Sequence, residues 1–160
     1  MENDDIKTEN TGDTNSIFYN FDNSKDGITN SFGENIGDHL HLDNGFIISA
    51  ACNKKVIGFI SVLIENLEEP IANTKQAFID IIKVRPEYRR TGIASRLIEI
   101  AIQKSSSLNL YQIAAWSSED KVEAIPMWKK LGFGLCFSSI ISGRTGEKVY
   151  GYLVAKPLMK

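Results

Sequence analysis

The stretch Val84-Arg85-Pro86-Glu87-Tyr88-Arg89-Arg90-Thr91-Gly92-Ile93-Ala94 decides the fold. Residues 78–84, which lead into it, are apolar apart from Asp80 and Lys83, as expected of a strand. Pro86 ends that strand, and a basic turn containing Gly92 follows. Beyond the turn, Ile93, Leu97, Ile100 and Ala101 recur at helical spacing, and Ile98 and Ile102 broaden the stripe. Strand, turn and helix in direct succession place free backbone N–H groups at a helix N-terminus, where an anion is stabilised. Guanidinium groups at Arg89 and Arg90 suit phosphate oxygens. The stretch reads as a phosphate cradle.

Working outward, residues 76–84 form a mostly apolar and therefore central strand. Before it, residues 46–52 and 56–64 read as two strands around an Asn53-Lys54-Lys55 turn, with residues 65–75 as loop. Ile17 to Phe21 suits a short strand. Ile28, Phe32, Ile36 and Leu40 recur every four positions, which predicts a helix over 28–40 weakened by Gly33 and Gly37. After the helix that begins at Ile93, residues 110–116 form another strand. Asp120 and Glu123 have capping-box spacing before a further helix, with Pro126 in its first turn and Gly132 as its stop. Residues 133–142 and 148–155 make a closing hairpin around Gly143-Arg144-Thr145-Gly146. Antiparallel strands, then strand–helix–strand–helix, then a hairpin describe an α/β (α+β) domain with a mixed, mostly antiparallel sheet and flanking helices.

A length of 160 residues, 42% of them hydrophobic, suffices for one domain with a core, assigned to residues 16–160. Residues 1–15 are acidic and nearly devoid of apolar groups, which predicts a mobile segment. No apolar run is long enough to cross a bilayer, and the polar start lacks the pattern of a secretory signal, so no membrane partner is expected. Cys52 and Cys136 have no metal-ligand spacing and form no disulfide framework; a reducing, cytoplasmic setting is the simplest reading, and Cys136 reads as a buried small apolar residue in preference to a nucleophile. The net charge of −2 conceals an asymmetry: residues 1–45 carry ten acids and two bases, and the rest ten acids and sixteen bases. The basic portion suits an anionic ligand, but no aromatic-interleaved basic stripe indicates nucleic acid.

Two segments carry a family resemblance. Arg89-Arg90-Thr91-Gly92-Ile93-Ala94 is similar to the R/Q-x-x-G-x-G/A signature of the GCN5-related N-acetyltransferases, the GNAT superfamily. Ala124-Ile125-Pro126-Met127-Trp128-Lys129-Lys130-Leu131-Gly132-Phe133 resembles that family's second block, a helix closed by Gly-Phe. The order of elements over about residues 45–158 is the family's too. The resemblance implies acetyl-CoA as co-substrate, an amine acceptor, either small molecule or protein, no metal, and an assembly that is often a homodimer. It implies that Arg90, Thr91, Gly92, Ile93 and Ala94 offer backbone N–H groups to the CoA pyrophosphate, with Arg89 and Arg90 adding positive charge. It further implies a bulge in the preceding strand, a splay from the neighbouring strand, and pantetheine pairing with the backbone of Ile82 and Val84.

Direct acetyl transfer needs a deprotonated amine, a donor for the carbonyl oxygen and a proton for the departing thiolate. Asp80, an acid in an apolar strand, is the candidate base; a strand period of two puts it on the same side as Ile82 and Val84. Burial would raise its pKa towards a useful range. Substrate positioning or pairing with a lysine are its other readings. Four residues before Gly132 many relatives carry a tyrosine that protonates the thiolate; here Trp128 stands, a donor able to orient sulfur but not a practical acid. Tyr111, Tyr150, Tyr152 or water are left to supply that proton. Lys121 reads as a surface lysine or a phosphate contact. His39 and His41 lie on one side if the segment is a strand; a surface role is their plainest reading, a metal site lacks a third ligand, and lining the acceptor site is the remaining option. The acidic N-terminal third either favours a cationic amine or is a solvated tail. Trp128 keeps a second function in view, a catalytically weak acyl-CoA-binding sensor or regulatory module.

Overall fold

A computed structural model describes residues 16–69, 71 and 73–159. The acidic segment over 1–15 lies outside these residues. Seven strands form one sheet: β1 (Ile17–Asp22), β2 (Gly45–Cys52), β3 (Lys55–Asn66), β4 (Lys75–Val84), β5 (Gln112–Ser118), β6 (Gly134–Ile141) and β7 (Lys148–Pro157). Their spatial order is β1-β2-β3-β4-β5-β7-β6, antiparallel throughout except for the parallel β4–β5 contact. Asn53 and Lys54 both take positive φ in the β2–β3 turn, the twist that a two-residue hairpin needs. The mixed α/β sheet expected from the sequence is observed.

Helices cover both faces. α2 (Ile93–Ser107) buries Ile93, Leu97, Ile98, Ile100 and Ala101 against Ile60, Val62, Ile79, Ile113 and Val154. Each such side chain contributes roughly 1.5–3 kcal/mol of hydrophobic stabilisation. α3 (Ile125–Lys130) joins this α2 face through Trp128 and Phe133, whose rings meet edge-on at 4.9 Å. The opposite face is covered over β2–β4 by α1 (Asp26–Phe32) and a 3₁₀ turn (Glu34–His39), through Ile28, Ile36 and Leu40 against Ile47 and Phe59. Arg85 fastens α1 in place: its Nη2 donates to the Ser31 carbonyl at 2.9 Å, its Nε to that of Val56, and its guanidinium lies over the Phe32 ring.

Three local expectations are corrected. The predicted helix over 28–40 is broken at Gly33, whose φ of 99° is closed to ordinary side chains, so the four-residue repeat is shared between α1 and the 3₁₀ turn. Asp120 and Glu123 fall inside a 3₁₀ turn (Glu119–Ala124), and α3 starts after Ala124 with no side-chain cap. Cys136 is exposed on β6, whereas Cys52 is buried. The Gly132 stop stands as expected: its φ is 84°, and the Phe133 and Gly132 N–H groups donate to the Trp128 and Lys129 carbonyls in a Schellman pattern.

Asp22 at the end of β1 is largely buried and accepts a hydrogen bond from Ser49, and its Oδ2 has no partner among the described residues. Burial pushes its carboxyl up to about 6, against which the Ser49 bond acts only in part. A raised carboxyl stabilises the fold in its protonated form, and that contribution is lost as pH climbs from the ordinary 3.8 through about 6. Asp22→Asn is therefore expected to melt higher than the parent at pH 8, with the gap closing at pH 4. Melting curves across that range check it; a gap independent of pH would contradict the assignment.

Candidate active site

The centre of the site is the place where β4 and β5 separate. Their pairing comprises Ala77 with Ile113, Phe78 with Ala114 and Ile79 with Ala115. From Asp80 to Val84 the β5-facing edge of β4 has no ladder partner in that register, so extended backbone is open to an added strand-like ligand. At the same point the β3–β4 register slips: Val62 faces Ile79 and Ser61 faces Ile81, leaving Asp80 as the extra residue of a β-bulge. Both the bulge and the splay expected of this strand are present.

The bulge changes which way Asp80 points. Ile82 pairs with Ile60, Val84 with Gly58, and both side chains pack against the α2-face core. Ile81 packs with the α1-face cluster, and Asp80 is bonded to residues at the end of the 3₁₀ turn on that same face. Asp80 therefore stands opposite Ile82 and Val84, not beside them. Its carboxyl group is 27% exposed and does not sit inside an apolar strand interior.

Two histidines hold it. His39 Nδ1 lies 3.1 Å and His41 Nε2 2.7 Å from the same oxygen, Asp80 Oδ2. Leu40 between them is extended and buried, so its neighbours project to the opposite side together. The His41 backbone N–H donates to Ser61 Oγ at 2.9 Å, and Ser61 is fully buried beside the bulge. The ring of His41 is 16% exposed and that of His39 55%. The sequence favours a surface role for both and leaves lining the acceptor site as the other option; it does not pair them with Asp80. The signal was their i, i+2 spacing in an extended segment; the partner lies some forty residues away and left no trace nearby.

On the α2 face, a cradle opens at the N-terminus of α2. Gly92 is the N-cap, with φ 86°, and Arg90 also has positive φ, 61°. The first helical bond runs from the Arg96 N–H to the Gly92 carbonyl, which leaves the N–H groups of Ile93, Ala94 and Ser95 without helical acceptors. A Cβ built on Gly92 meets nothing within 4 Å, so the space beside this N-cap residue is open. The Thr91 hydroxyl donates to the Tyr88 carbonyl, and Arg89 Nε to the Val84 carbonyl at 3.0 Å. Arg89, Arg90, Thr91 and Gly92 are exposed, Ala94 is half-buried, and the side chain of Ile93 is in the core. Residues 89–94 thus have the open space and donors that a pyrophosphate group needs.

The remaining candidates are spread out. Trp128 is 4% exposed and its indole N–H, buried, finds no acceptor among the described residues. Tyr111 lies at the far end of β5, its N–H bonded to the Lys75 carbonyl. Tyr152 pairs with Ser117, two residues beyond the last β4–β5 pair, and contacts Phe137, which stacks on Tyr150. Trp116, not singled out in the sequence, is the first β5 residue past that last pair; it shares the α1 face of the sheet with its partner Leu153, 42% exposed. Among the described residues no group of three or more His, Cys, Asp or Glu has metal-holding geometry.

The sequence profile of the acetyltransferase (GNAT) family matches residues 13–133. The chain belongs to this family. Solved structures with the same fold include Arabidopsis thaliana NAA60 in complex with a bisubstrate analogue, at 17% identity and a TM-score of 0.73, covering 89% of this chain and 98% of that one. The ribosomal-protein-S18-alanine N-acetyltransferase from Escherichia coli matches at 15% identity and a TM-score of 0.69, covering 92% and 96%. An aminoglycoside 6′-N-acetyltransferase complexed with coenzyme A matches at 14% identity and a TM-score of 0.65, covering 89% and 97%. No curated protein matches the sequence. Among the described residues no helix of this acetyltransferase-family chain is long and apolar enough to cross a membrane.

Because Gly92 holds φ 86°, Gly92→Val is expected to cost about 1–2 kcal/mol of stability even though its side chain meets open space. Denaturant titration checks this; an unchanged midpoint would show that the turn relaxes freely.

Proposed function

We propose that this chain moves an acetyl group from acetyl-CoA directly to a primary amine. The observation that carries the reading is the position of Asp80: a bulge sets its carboxylate on the α1 face at the residue where β4 and β5 part. The cradle of residues 89–94 opens on the α2 face at the same end of β4. Donor and acceptor then approach from opposite faces and meet in the gap between the strands. In this reading the N–H groups at the start of α2 hold the pyrophosphate with Arg89 and Arg90, and the free edge at Ile82 and Val84 pairs with pantetheine. Acetyl-CoA supplies the activated acyl group as a thioester.

The chain's own residues do the rest. Asp80 draws the acceptor nitrogen to the gap and governs the removal of its proton. A backbone N–H released at the bulge faces the carbonyl oxygen. Trp128 anchors α3 in the core; its indole N–H is buried and carries no proton transferable at neutral pH, so it does not protonate the thiolate. Of the two β7 tyrosines, Tyr152 is by register the nearer to the gap. Trp116 and Leu153 give the acceptor's carbon skeleton an apolar wall beside Asp80. The S18-alanine enzyme is a protein-related precedent for such an acceptor, and the aminoglycoside enzyme a small-molecule one.

Calorimetry with acetyl-CoA is expected to show binding that Gly92→Val weakens at least about tenfold, through lost approach to the N–H groups. Thiol release with a panel of peptide N-termini, lysine and aminoglycosides is expected for at least one amine. Asp80→Asn should lower kcat about 100-fold or more while leaving CoA affinity unchanged. Trp116→Ala should raise KM for the amine and not for acetyl-CoA. Absence of CoA affinity in the parent would overturn the reading; CoA affinity without transfer to any amine would support an acyl-CoA-binding regulatory module instead.

A further inference from the structure

We infer that His39 Nε2, not the Asp80 carboxylate, is the atom that takes the proton from the acceptor amine. The inference rests on the acetyltransferase reading above and names a residue within the same site. An ionised carboxylate only accepts hydrogen bonds, so both rings on Asp80 Oδ2 must present N–H groups to it. His39 does so through Nδ1 and His41 through Nε2. A neutral His39 with its proton on Nδ1 carries its lone pair on Nε2, the far side of the ring. That ring is the most exposed of the three side chains, at 55% against 16% for His41 and 27% for Asp80. Asp80 Oδ2, bonded twice, is turned towards the rings that hold it.

The division of roles follows from this geometry. Asp80 is a positioning residue that fixes the His39 tautomer and stabilises the imidazolium once it forms. His41 is the strut: its backbone is tied to buried Ser61 next to the bulge, and its ring pins Asp80 from the enclosed side. Charged residues on the elements about His39 include Glu34 and Asp38 on its own turn, Asp43 beyond His41, Lys83 on β4 and Lys25, whose Nζ donates to the Gly37 carbonyl at 3.3 Å. In the step itself, one ammonium N–H bond breaks and its proton passes to Nε2. The freed nitrogen lone pair then forms the C–N bond while the C–S bond breaks, and the nitrogen loses its second proton to solvent. The departing thiolate takes up one proton and leaves as free thiol, and the imidazolium returns its proton to solvent.

The test compares His39→Ala, Asp80→Asn and the parent in acetyl transfer to an amine that the parent accepts, over a range of pH, with and without added imidazole. His39→Ala is expected to lose roughly 100-fold in kcat/KM and the acidic limb of the pH profile, to keep parental CoA affinity, and to regain rate with imidazole. Asp80→Asn is expected to lose rate without rescue. Parental kcat/KM in His39→Ala, or a loss that imidazole does not restore while the limb persists, would overturn the inference. Long-range ¹H–¹⁵N spectra of the imidazole rings give a readout that does not need turnover: the Nδ1–H tautomer at His39 is expected, and an Nε2–H tautomer would overturn it whether or not acetyl transfer is found.

Discussion

Everything in this molecule is arranged around a strand pair that stops pairing early. β4 and β5 share three residue pairs and then part, and β4 carries its one bulged residue, Asp80, at the first position beyond the last pair. An unpaired strand edge inside a sheet carries hydrogen-bonding groups that must be satisfied by something. Here the gap leaves β4 backbone without a ladder partner, and the bulge turns the Asp80 carboxylate to the α1 face. In the proposed reading, that one extra residue divides a single strand into a donor-facing and an acceptor-facing part.

The two faces are kept rigid by independent means. On the α2 side, a broad apolar stripe from Ile93 to Ala101 locks the helix to β2–β5 and so fixes the cradle at its N-terminus relative to the gap. On the α1 side, a smaller cluster centred on Phe59 and Ile47 supports the turn that ends in His39. Arg85, just past the end of β4, ties the last turn of α1 to the sheet through the Ser31 carbonyl and the Phe32 ring in α1 and the Val56 carbonyl in β3. It comes from the same basic stretch as the cradle, yet it binds protein, which shows that charge alone does not sort ligand contacts from structural ones.

Much of this was legible in the chain. Strand and helix placement from Phe46 onward followed from periodicity, and the cradle at Arg89 to Ala94 followed from the strand–glycine–helix order. What the chain hid was phase and distance. A bulge has no composition of its own, so period-two reasoning put Asp80 on the side of Ile82 and Val84. The pairing of His39 and His41 with Asp80 depends on α1 crossing the sheet, which a local reading could not supply. The break at Gly33 was signalled by the glycine, but a four-residue apolar repeat is equally well met by two short turns on one face. Cys136 was expected inside and lies on the outer hairpin because β6 is a sheet edge.

Membership of the GNAT family explains the architecture shared with the solved acetyltransferase structures. In the proposed reading the donor enters through the gap beyond Ile79 and stops at the bulge. Amide hydrogen exchange with and without acetyl-CoA tests this most directly. Slowed exchange at Ile82 to Val84 and at Ile93 to Ser95, with β1 and β2 unaffected, is the predicted result. Protection confined to other strands, or none at the start of α2, would contradict the account.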